Sequence, residues 1–180
     1  FELIKTRCET VNNLNKYLQT IFNSVFEESI KLEIVVNSKF KRLSVEEIHN
    51  ALQSGLNKDC SSFVTSYGVH RDDYILLFNG MNIFEFCSLG QQKMGYLSLL
   101  FAYIKLFRYK FKYYPIVLID DISGELDQIR WSKLIQYLKD CEFQVLITTA
   151  NERFKEELLK IKNANNIYVS SGEISTIDNI

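Results

Sequence analysis

Apolar side chains along the first 26 residues recur in steps of three and four, which is the spacing of one helical stripe. Asparagine and glutamine occupy much of the opposite face, so the pattern predicts an amphipathic helix over 3–26. The stripe consists of Leu3, Ile4, Cys8, Val11, Leu14, Leu18, Ile21, Phe22, Val25 and Phe26. A second long helix is predicted after Gln91, with Met94, Leu97, Phe101, Ile104 and Phe107 along one face.

Local signals divide the rest of the chain. Ser44 and Glu47 form a capping box, which predicts a helix to about Leu56. Asn79-Gly80 between apolar runs predicts a tight hairpin. Strands are predicted at Lys31–Val36, Ser62–Tyr67, Tyr74–Phe78, Ile116–Ile119, Phe143–Thr148 and Ile167–Ser170, and further helices at Arg130–Lys139 and Glu152–Ile161.

The order of these elements predicts an α/β fold. Strands that alternate with helices are typical of a mostly parallel sheet with flanking helices. The run Ile116–Ile119 is apolar at every position, as in a strand buried on both faces. We therefore expect both faces of this strand to be covered.

Composition adds mainly exclusions. The 180 residues suit one domain or one lobe, and the net charge of −1 carries no bulk signal for nucleic acid. The four cysteines are widely spaced, which indicates reduced thiols in a cytoplasmic protein. The most apolar run, Tyr96–Phe107, is too short to cross a membrane.

Two carboxylates follow the most apolar strand. Asp120 and Asp121 stand where open α/β sheets bind ligands, at the carboxyl end of a strand. The first could hold Mg²⁺ and the second could position or deprotonate a water. Acidic residues at a helix N-terminus, favoured by the helix dipole, are an equally good interpretation of the pair alone.

The stretch SLGQQK at 88–93 opens the second long helix. Ser88 can cap that helix, and Gly90 allows a ligand to approach the backbone N–H groups, so the stretch could bind an anion. An ordinary capped helix is the better interpretation of this stretch taken alone.

Two basic clusters are candidates for contact with DNA phosphates. Lys105, Arg108, Lys110 and Lys112 alternate with aromatic residues, and Lys39, Lys41 and Arg42 form a smaller group. In both cases a solvated surface without a ligand is the favoured interpretation.

The motifs together resemble a known family. The stretch IDDISGELD at 119–127 resembles the Walker B strand and D-loop of ABC-type ATPases. With HRDD at 70–73, Asn79-Gly80 and SLGQQK in the same order, the chain is identified as similar to the C-terminal half of the RecF family. On this resemblance, 1–57 is a helical arm-lobe segment and 58–180 is the C-terminal part of an ABC-type ATPase lobe.

The resemblance implies specific roles. Asp120 would hold Mg²⁺, Asp121 would position the hydrolytic water, and Asp127 would lie at a dimer interface. Ser88, Gly90 and Gln91 would bind the γ-phosphate of ATP held by the partner subunit. A phosphate-binding G-x-x-x-x-G-K-[ST] loop is missing from the sequence, so we expect a piece of a longer protein with little activity alone.

The function implied is an ATP-driven homodimeric clamp on DNA in recombinational repair and replication restart. Expected partners are DNA and mediator proteins of the RecR and RecO type, with a cytoplasmic, nucleoid-associated location and a part in the SOS response. The alternatives are another SMC-type or ABC-type ATPase, or a non-catalytic dimerisation scaffold. Departures from the family pattern stand at Val69, Leu89, Lys93, Gly124 and Thr149.

Overall fold

The computed structural model describes residues 1–26, 29–120, 126–149, 157–158, 161 and 164–177. The helices are α1 (Glu2–Phe26), α2 (Val45–Ser62), α3 (Ile83–Phe86), α4 (Leu89–Phe111) and α5 (Gln128–Lys139). The strands are β1 (Leu32–Asn37), β2 (Asp73–Phe78), β3 (Met81–Asn82), β4 (Val117–Ile119), β5 (Val145–Ile147), β6 (Asn166–Ser170) and β7 (Glu173–Ile177).

The two long helices pack against each other and form a large part of the core. Most of the apolar stripe of α1 is buried as predicted, with Leu18 and Phe22 fully inaccessible, but Leu3 at its start is exposed. Met94 and Phe101 of α4 are likewise fully buried in the same cluster. In the described part of the chain, no helix combines the length and the hydropathy needed to cross a membrane.

A three-stranded antiparallel sheet covers part of this helix pair. β1 pairs with β2 from Leu32 opposite Phe78 to Asn37 opposite Asp73. β2 continues into β3 through the predicted turn, in which Asn79 and Gly80 have φ values of 48° and 81°. Positive φ at both central residues is what this hairpin requires, so the Asn-Gly prediction is confirmed.

The prediction of a mostly parallel sheet is wrong for the described residues. In that part of the chain only the pair β4–β5 is parallel, and the sheets β1-β2-β3 and β6-β7 are antiparallel. The alternation of strands and helices led to the wrong prediction because α2 connects β1 and β2, which pair in antiparallel orientation. A helix between two strands implies a parallel crossover only when both strands run in the same direction.

The strand at Ile116–Ile119 is buried on one face only. Val117 and Ile119 are 4% and 7% exposed, whereas Ile116 and Leu118 are 64% and 72% exposed. Leu146 extends this exposed apolar face onto β5. A fully apolar strand sequence indicates two covered faces, but within the described residues only one is covered, which leaves an apolar patch facing solvent.

The predicted strand over Ser62–Tyr67 is also wrong. Helix α2 continues to Ser62 and ends on Phe63, which adopts the left-handed conformation with φ of 55°. The Asp59 carboxylate then accepts from the Ser66 amide at 2.9 Å and fixes an irregular turn. The apolar and β-branched residues of this stretch favoured a strand, but capping overrides this preference.

The expected boundary between 1–57 and 58–180 does not fall at a gap in the core. α1 and β1, both inside the expected arm segment, share one hydrophobic cluster with β2, α4 and α5. A smaller cluster joins Ile4 of α1 to Phe40 and Ile48. The helix predicted at Glu152–Ile161 lies largely outside the described residues.

Candidate nucleotide-binding site

Asp120 and Thr148 lie side by side at the carboxyl end of the parallel strand pair. The register sets Ile119 opposite Ile147, so the residue after each strand emerges at the same edge. The Thr148 hydroxyl donates a hydrogen bond to the Asp120 carboxylate, and the Thr148 amide donates to the Ile119 carbonyl at 3.0 Å. Both side chains are exposed. The pair thus presents oxygen ligands to solvent at the strand ends.

Thr148 is a site residue that the sequence reasoning missed. The signal that could have found it is its position at the carboxyl end of the predicted strand Phe143–Thr148. Carboxyl ends of parallel neighbours meet at one edge, so residues following both strands are candidates for one site.

The second acid of the pair, Asp121, lies outside the described residues, as do Ser123 and Gly124. Its assignment as the residue that positions water therefore stays a prediction. The chain is described again from Leu126, which is buried at 6% exposure.

Asp127 is the N-cap of α5. Its carboxylate accepts from the Arg130 amide and from the Arg130 guanidinium, each at 2.8 Å. Such a cap satisfies one of the unpaired amides at a helix start. Asp127 remains exposed at this surface. Its place at a dimer interface stays a prediction.

Ser88 and Gln91 form a complete capping box at the start of α4. The Gln91 amide donates to Ser88 Oγ at 3.3 Å, and the Ser88 amide donates to Gln91 Oε1 at 3.0 Å. The Gln91 side chain is thus folded back onto the helix end. The amides of Leu89 and Gly90 have no carbonyl four residues earlier in the helix, as at any helix N-terminus. They could donate to an anion.

A cleft of about 500 Å³ runs between α4 and β4. It brings Leu89, Gln92 and Lys93 from the SLGQQK stretch to the same cleft as Asp120. Ser88, Gly90 and Gln91 are not among its lining residues. Apart from these polar ends the walls are apolar, formed by Tyr96, Leu97, Leu100, Leu118 and Ile119.

The donor set at Asp120 fits a partial Mg²⁺ site. Mg²⁺ is usually held by one or two carboxylates, and it fills its remaining positions with water and substrate phosphate oxygens. One exposed carboxylate beside a hydroxyl matches that pattern. Among the described residues, no three or more His, Cys, Asp and Glu side chains group together in a way that could hold a metal by themselves.

The HRDD stretch is anchored by contacts that the sequence did not reveal. Asp72 pairs with Arg7 of α1 at 3.1 Å and its side chain is only 4% exposed. Arg71 donates from Nε to the Thr65 carbonyl at 3.0 Å, and Asp73 accepts from the Tyr74 amide at 2.7 Å. Asp72 thus has a structural role, with a partner that lies 65 residues away in sequence and outside the motif.

Comparison with known proteins gives the family. The family described as "RecF/RecN/SMC N terminal domain" matches residues 7–175. The chain is 31% identical to the "DNA replication and repair protein RecF" of Lactobacillus johnsonii, over 97% of this chain and 48% of that protein. It is also 31% identical to the protein of that name in Clostridium botulinum strain Alaska E43, over 96% of this chain and 47% of that protein.

Solved structures show the same fold. The structure described as "the recombination mediator protein RecF-ATP in RecFOR pathway" superposes with a TM-score of 0.74 at 22% identity, covering 98% of this chain and 48% of that one. A structure from work on "ATP-driven dimerization and DNA stimulated activation of SMC ATPases" gives 0.57 at 15% identity, covering 98% and 90%.

The chain spans about half the length of the curated relatives it matches. The matching family is described as an N terminal domain, which does not agree with the C-terminal half expected from the sequence. The α/β fold and the family are the parts of that expectation that the comparisons support. Since the family matches 7–175 of 180 residues, the chain belongs to the RecF/RecN/SMC N terminal domain family.

Proposed function

We propose that this chain is part of a RecF-like, ATP-dependent DNA-binding protein that acts in DNA replication and repair, with ATP and Mg²⁺ as cofactors. The observation that carries the proposal is the Asp120–Thr148 pair at the strand ends, beside the start of α4. Family membership and the names of the relatives support the same function.

In the proposed site, Asp120 contributes a carboxylate oxygen to Mg²⁺, and the Thr148 hydroxyl holds that carboxylate in place. Bound Mg²⁺ neutralises phosphate charge during phosphoryl transfer. Asp121, directly after Asp120 in sequence, orients the attacking water and accepts its proton. Because the Thr148 hydroxyl fixes the orientation of the Asp120 carboxylate, this carboxylate needs less reorganisation to bind Mg²⁺.

The start of α4 supplies hydrogen-bond donors for a phosphate. The Leu89 and Gly90 amides and the Ser88 hydroxyl are the groups available in the described geometry. Gln91 can reach a phosphate only after it releases the Ser88 amide. We assign these donors to ATP held by a second subunit, with Asp127 at the interface, so that ATP binding closes a dimer on DNA.

The exposed apolar face of β4 and β5 supports a site that is completed by a further polypeptide segment. Ile116, Leu118 and Leu146 together present an uncovered hydrophobic surface next to Asp120. The chain matches only about half of its relatives' length. We propose that a segment outside these 180 residues covers this face and contributes the phosphate-binding loop.

The RecF-like assignment is preferred over other SMC-type ATPases because the superposition is closer. TM-scores are 0.73 and 0.74 for the two RecF structures and 0.55–0.58 for the SMC heads. Mediator proteins of the RecR and RecO type are the proposed partners, at the nucleoid in the cytoplasm. The alternative of a non-catalytic scaffold predicts a dimer that forms equally well without ATP.

The test uses the whole protein that contains this chain. Asp120→Asn is expected to weaken Mg²⁺-dependent ATP binding, measured by calorimetry. Asp121→Asn is expected to retain binding and lower hydrolysis by about 10²-fold or more, as for loss of a general base. Asp140→Asn, an exposed acid at the end of α5, is the matched control and should leave both unchanged.

Light scattering in the same series reports on dimerisation. We expect Asp121→Asn to form a long-lived dimer with ATP and the wild type a transient one. Undiminished hydrolysis by Asp121→Asn, or dimerisation independent of ATP, would show that the proposed roles are wrong.

A further inference from the structure

A second cleft, of about 270 Å³, lies between the loop that follows β1 and the segment that contains HRDD. It shares no lining residue with the cleft at Asp120. Its cationic side chains are Lys39 and Arg71. The proposed nucleotide chemistry uses neither residue, so the cleft needs its own explanation.

Both cations are held in place by specific contacts. The Lys39 ammonium lies 4.8 Å from the centroid of the Tyr67 ring, and Tyr67 stacks on Phe40 with ring centroids 6.4 Å apart. A cation over a tyrosine face is attracted by the ring quadrupole. The Arg71 Nε is fixed by the Thr65 carbonyl, and its two terminal nitrogens retain the geometry of a fork donor.

The acidic groups near the cleft are already engaged. Asp72, which lines it, pairs with Arg7 at 3.1 Å and is almost inaccessible. Asp59, which interacts electrostatically with Arg71, accepts from the Ser66 amide at 2.9 Å. The cations available to a ligand are therefore Lys39 and Arg71, with the Arg71 charge partly offset by Asp59, and Lys41 and Arg42 are exposed nearby in sequence.

The volume of the cleft and the packing of Tyr67 favour one kind of anion over another. Ordinary small-molecule pockets occupy roughly 300–1,000 Å³, so this cleft is small for a nucleotide. The Tyr67 ring has Lys39 against it and packs on Phe40, which limits its use as a platform for a base. A phosphate group that enters from outside, attached to a longer molecule, fits these constraints better than a free nucleotide.

We propose that Lys39 and Arg71 bind a backbone phosphate of DNA. In this proposal Arg71 of the HRDD stretch contacts the DNA. Asp72 holds the HRDD turn against α1 through its ion pair with Arg7. This inference rests on the proposed function, because it assumes that the protein binds DNA. It names the surface that does so.

The experiment measures DNA affinity of the whole protein by fluorescence anisotropy at several salt concentrations, with a labelled duplex. Each lost phosphate contact lowers the slope of log affinity against log salt by about 0.9. Because both cations bind the same phosphate, Lys39→Gln with Arg71→Gln should lower the slope by about 1 and weaken binding roughly tenfold. Lys39→Arg with Arg71→Lys should retain most of the affinity.

The control is Lys110→Gln with Lys112→Gln at the end of α4, the other basic cluster. It removes the same charge and should leave the slope unchanged. If the double glutamine variant unfolds, the single variant Lys39→Gln replaces it, with weaker binding and an expected loss of up to about 1 in slope. Thermal melting of each variant establishes that it is folded.

If the Lys39 and Arg71 glutamine variants keep the salt slope of the wild type, the proposal is wrong. If only the Lys110 and Lys112 variant loses slope, the DNA-binding surface lies at the end of α4 and the proposal is also wrong. Loss of ATP binding with DNA binding intact would assign the cleft to nucleotide phosphates and overturn it as well. If the wild type itself binds no DNA, the proposed function fails together with this inference. The first two outcomes leave the proposed function standing.

Discussion

The guanidinium of Arg7 in α1 lies 3.1 Å from the carboxylate of Asp72, and the same nitrogen donates to the Val69 carbonyl at 2.6 Å. The Asp72 side chain is 4% exposed and that of Arg7 is 26% exposed. One arginine thus ties the beginning of the first helix to the HRDD turn.

Replacing this arginine is expected to destabilise the fold. Arg7→Met retains much of the side-chain length and leaves the inaccessible Asp72 carboxylate without its partner. Breaking a buried ion pair costs about 3–5 kcal/mol, and the partial exposure of Arg7 lowers our expectation to about 2 kcal/mol. Chemical denaturation measures the free energy of unfolding.

The matched control is the exposed pair Lys31–Glu33, at 2.8 Å with side chains 66% and 31% exposed. Lys31→Met should change the free energy of unfolding by less than about 1 kcal/mol. Equal effects of Arg7→Met and Lys31→Met would contradict the anchoring role of Arg7.

Gly95 allows α4 to pack closely against α3 and the antiparallel sheet. A Cβ at this position would lie 2.6 Å from Ile83 Cδ1 and 3.0 Å from Leu76 Cδ2. Alanine gains about 1 kcal/mol in helix propensity, but overpacking a buried site costs roughly 1–3 kcal/mol. We therefore expect Gly95→Ala to destabilise the protein by about 1 kcal/mol.

A double-mutant cycle tests that reason. Ile83→Val removes the methyl group that the new Cβ would meet, and alone should cost about 1 kcal/mol. The double variant should be more stable than the sum of the two single effects predicts. Strict additivity in thermal or chemical unfolding would show that Ile83 does not limit the space at Gly95.

Gln91 combines a capping role with a proposed phosphate contact, and Gln91→Glu separates the two. Glutamate preserves the capping box, so the melting temperature should stay near that of the wild type. Its charge opposes a phosphate, so ATP-driven dimerisation and hydrolysis in the whole protein should fall at least tenfold by our estimate.

Ser88→Ala is the structural comparison for this site, since it removes the cap and should lower the free energy of unfolding by about 1 kcal/mol. Full activity of Gln91→Glu would restrict Gln91 to a capping role. A large loss of stability in the same variant would instead mean that the cap depends on the neutral amide.

Tyr137 should make the fold sensitive to alkaline pH. Burial, followed by the charges of Cys141 and Tyr114, raises the pKa of Tyr137 to about 12. The folded state therefore favours the neutral phenol, and its contribution to stability is complete below pH ~10 and is lost as the pH rises towards ~12. Partial exposure limits the effect to about 1–2 kcal/mol.

The measurement compares the free energy of unfolding of the wild type and Tyr137→Phe between pH ~8 and ~11.5. The wild type should lose stability relative to Tyr137→Phe only above pH ~10. A constant difference between the two over this range would show that the phenol titrates alike in the folded and unfolded states.

Local features of this protein were determined by the sequence itself. The capping boxes at Ser44 and Ser88 and the Asn79-Gly80 turn each involve groups within a few residues, so the backbone has the same choice wherever the segment lies. The stripe of α1 likewise follows from helical spacing alone, and the position of Asp120 after an apolar strand needed no knowledge of its neighbours.

Only the tertiary structure decided which segments meet. The antiparallel pairing of β1 with β2, the ion pair of Arg7 with Asp72 and the bond of Thr148 to Asp120 join residues far apart in sequence. The residue pattern of a segment does not specify its distant partner, because the same side chains could pair with other segments of similar character. The same holds for Leu118, whose exposure depends on what covers β4 and not on its own apolar character.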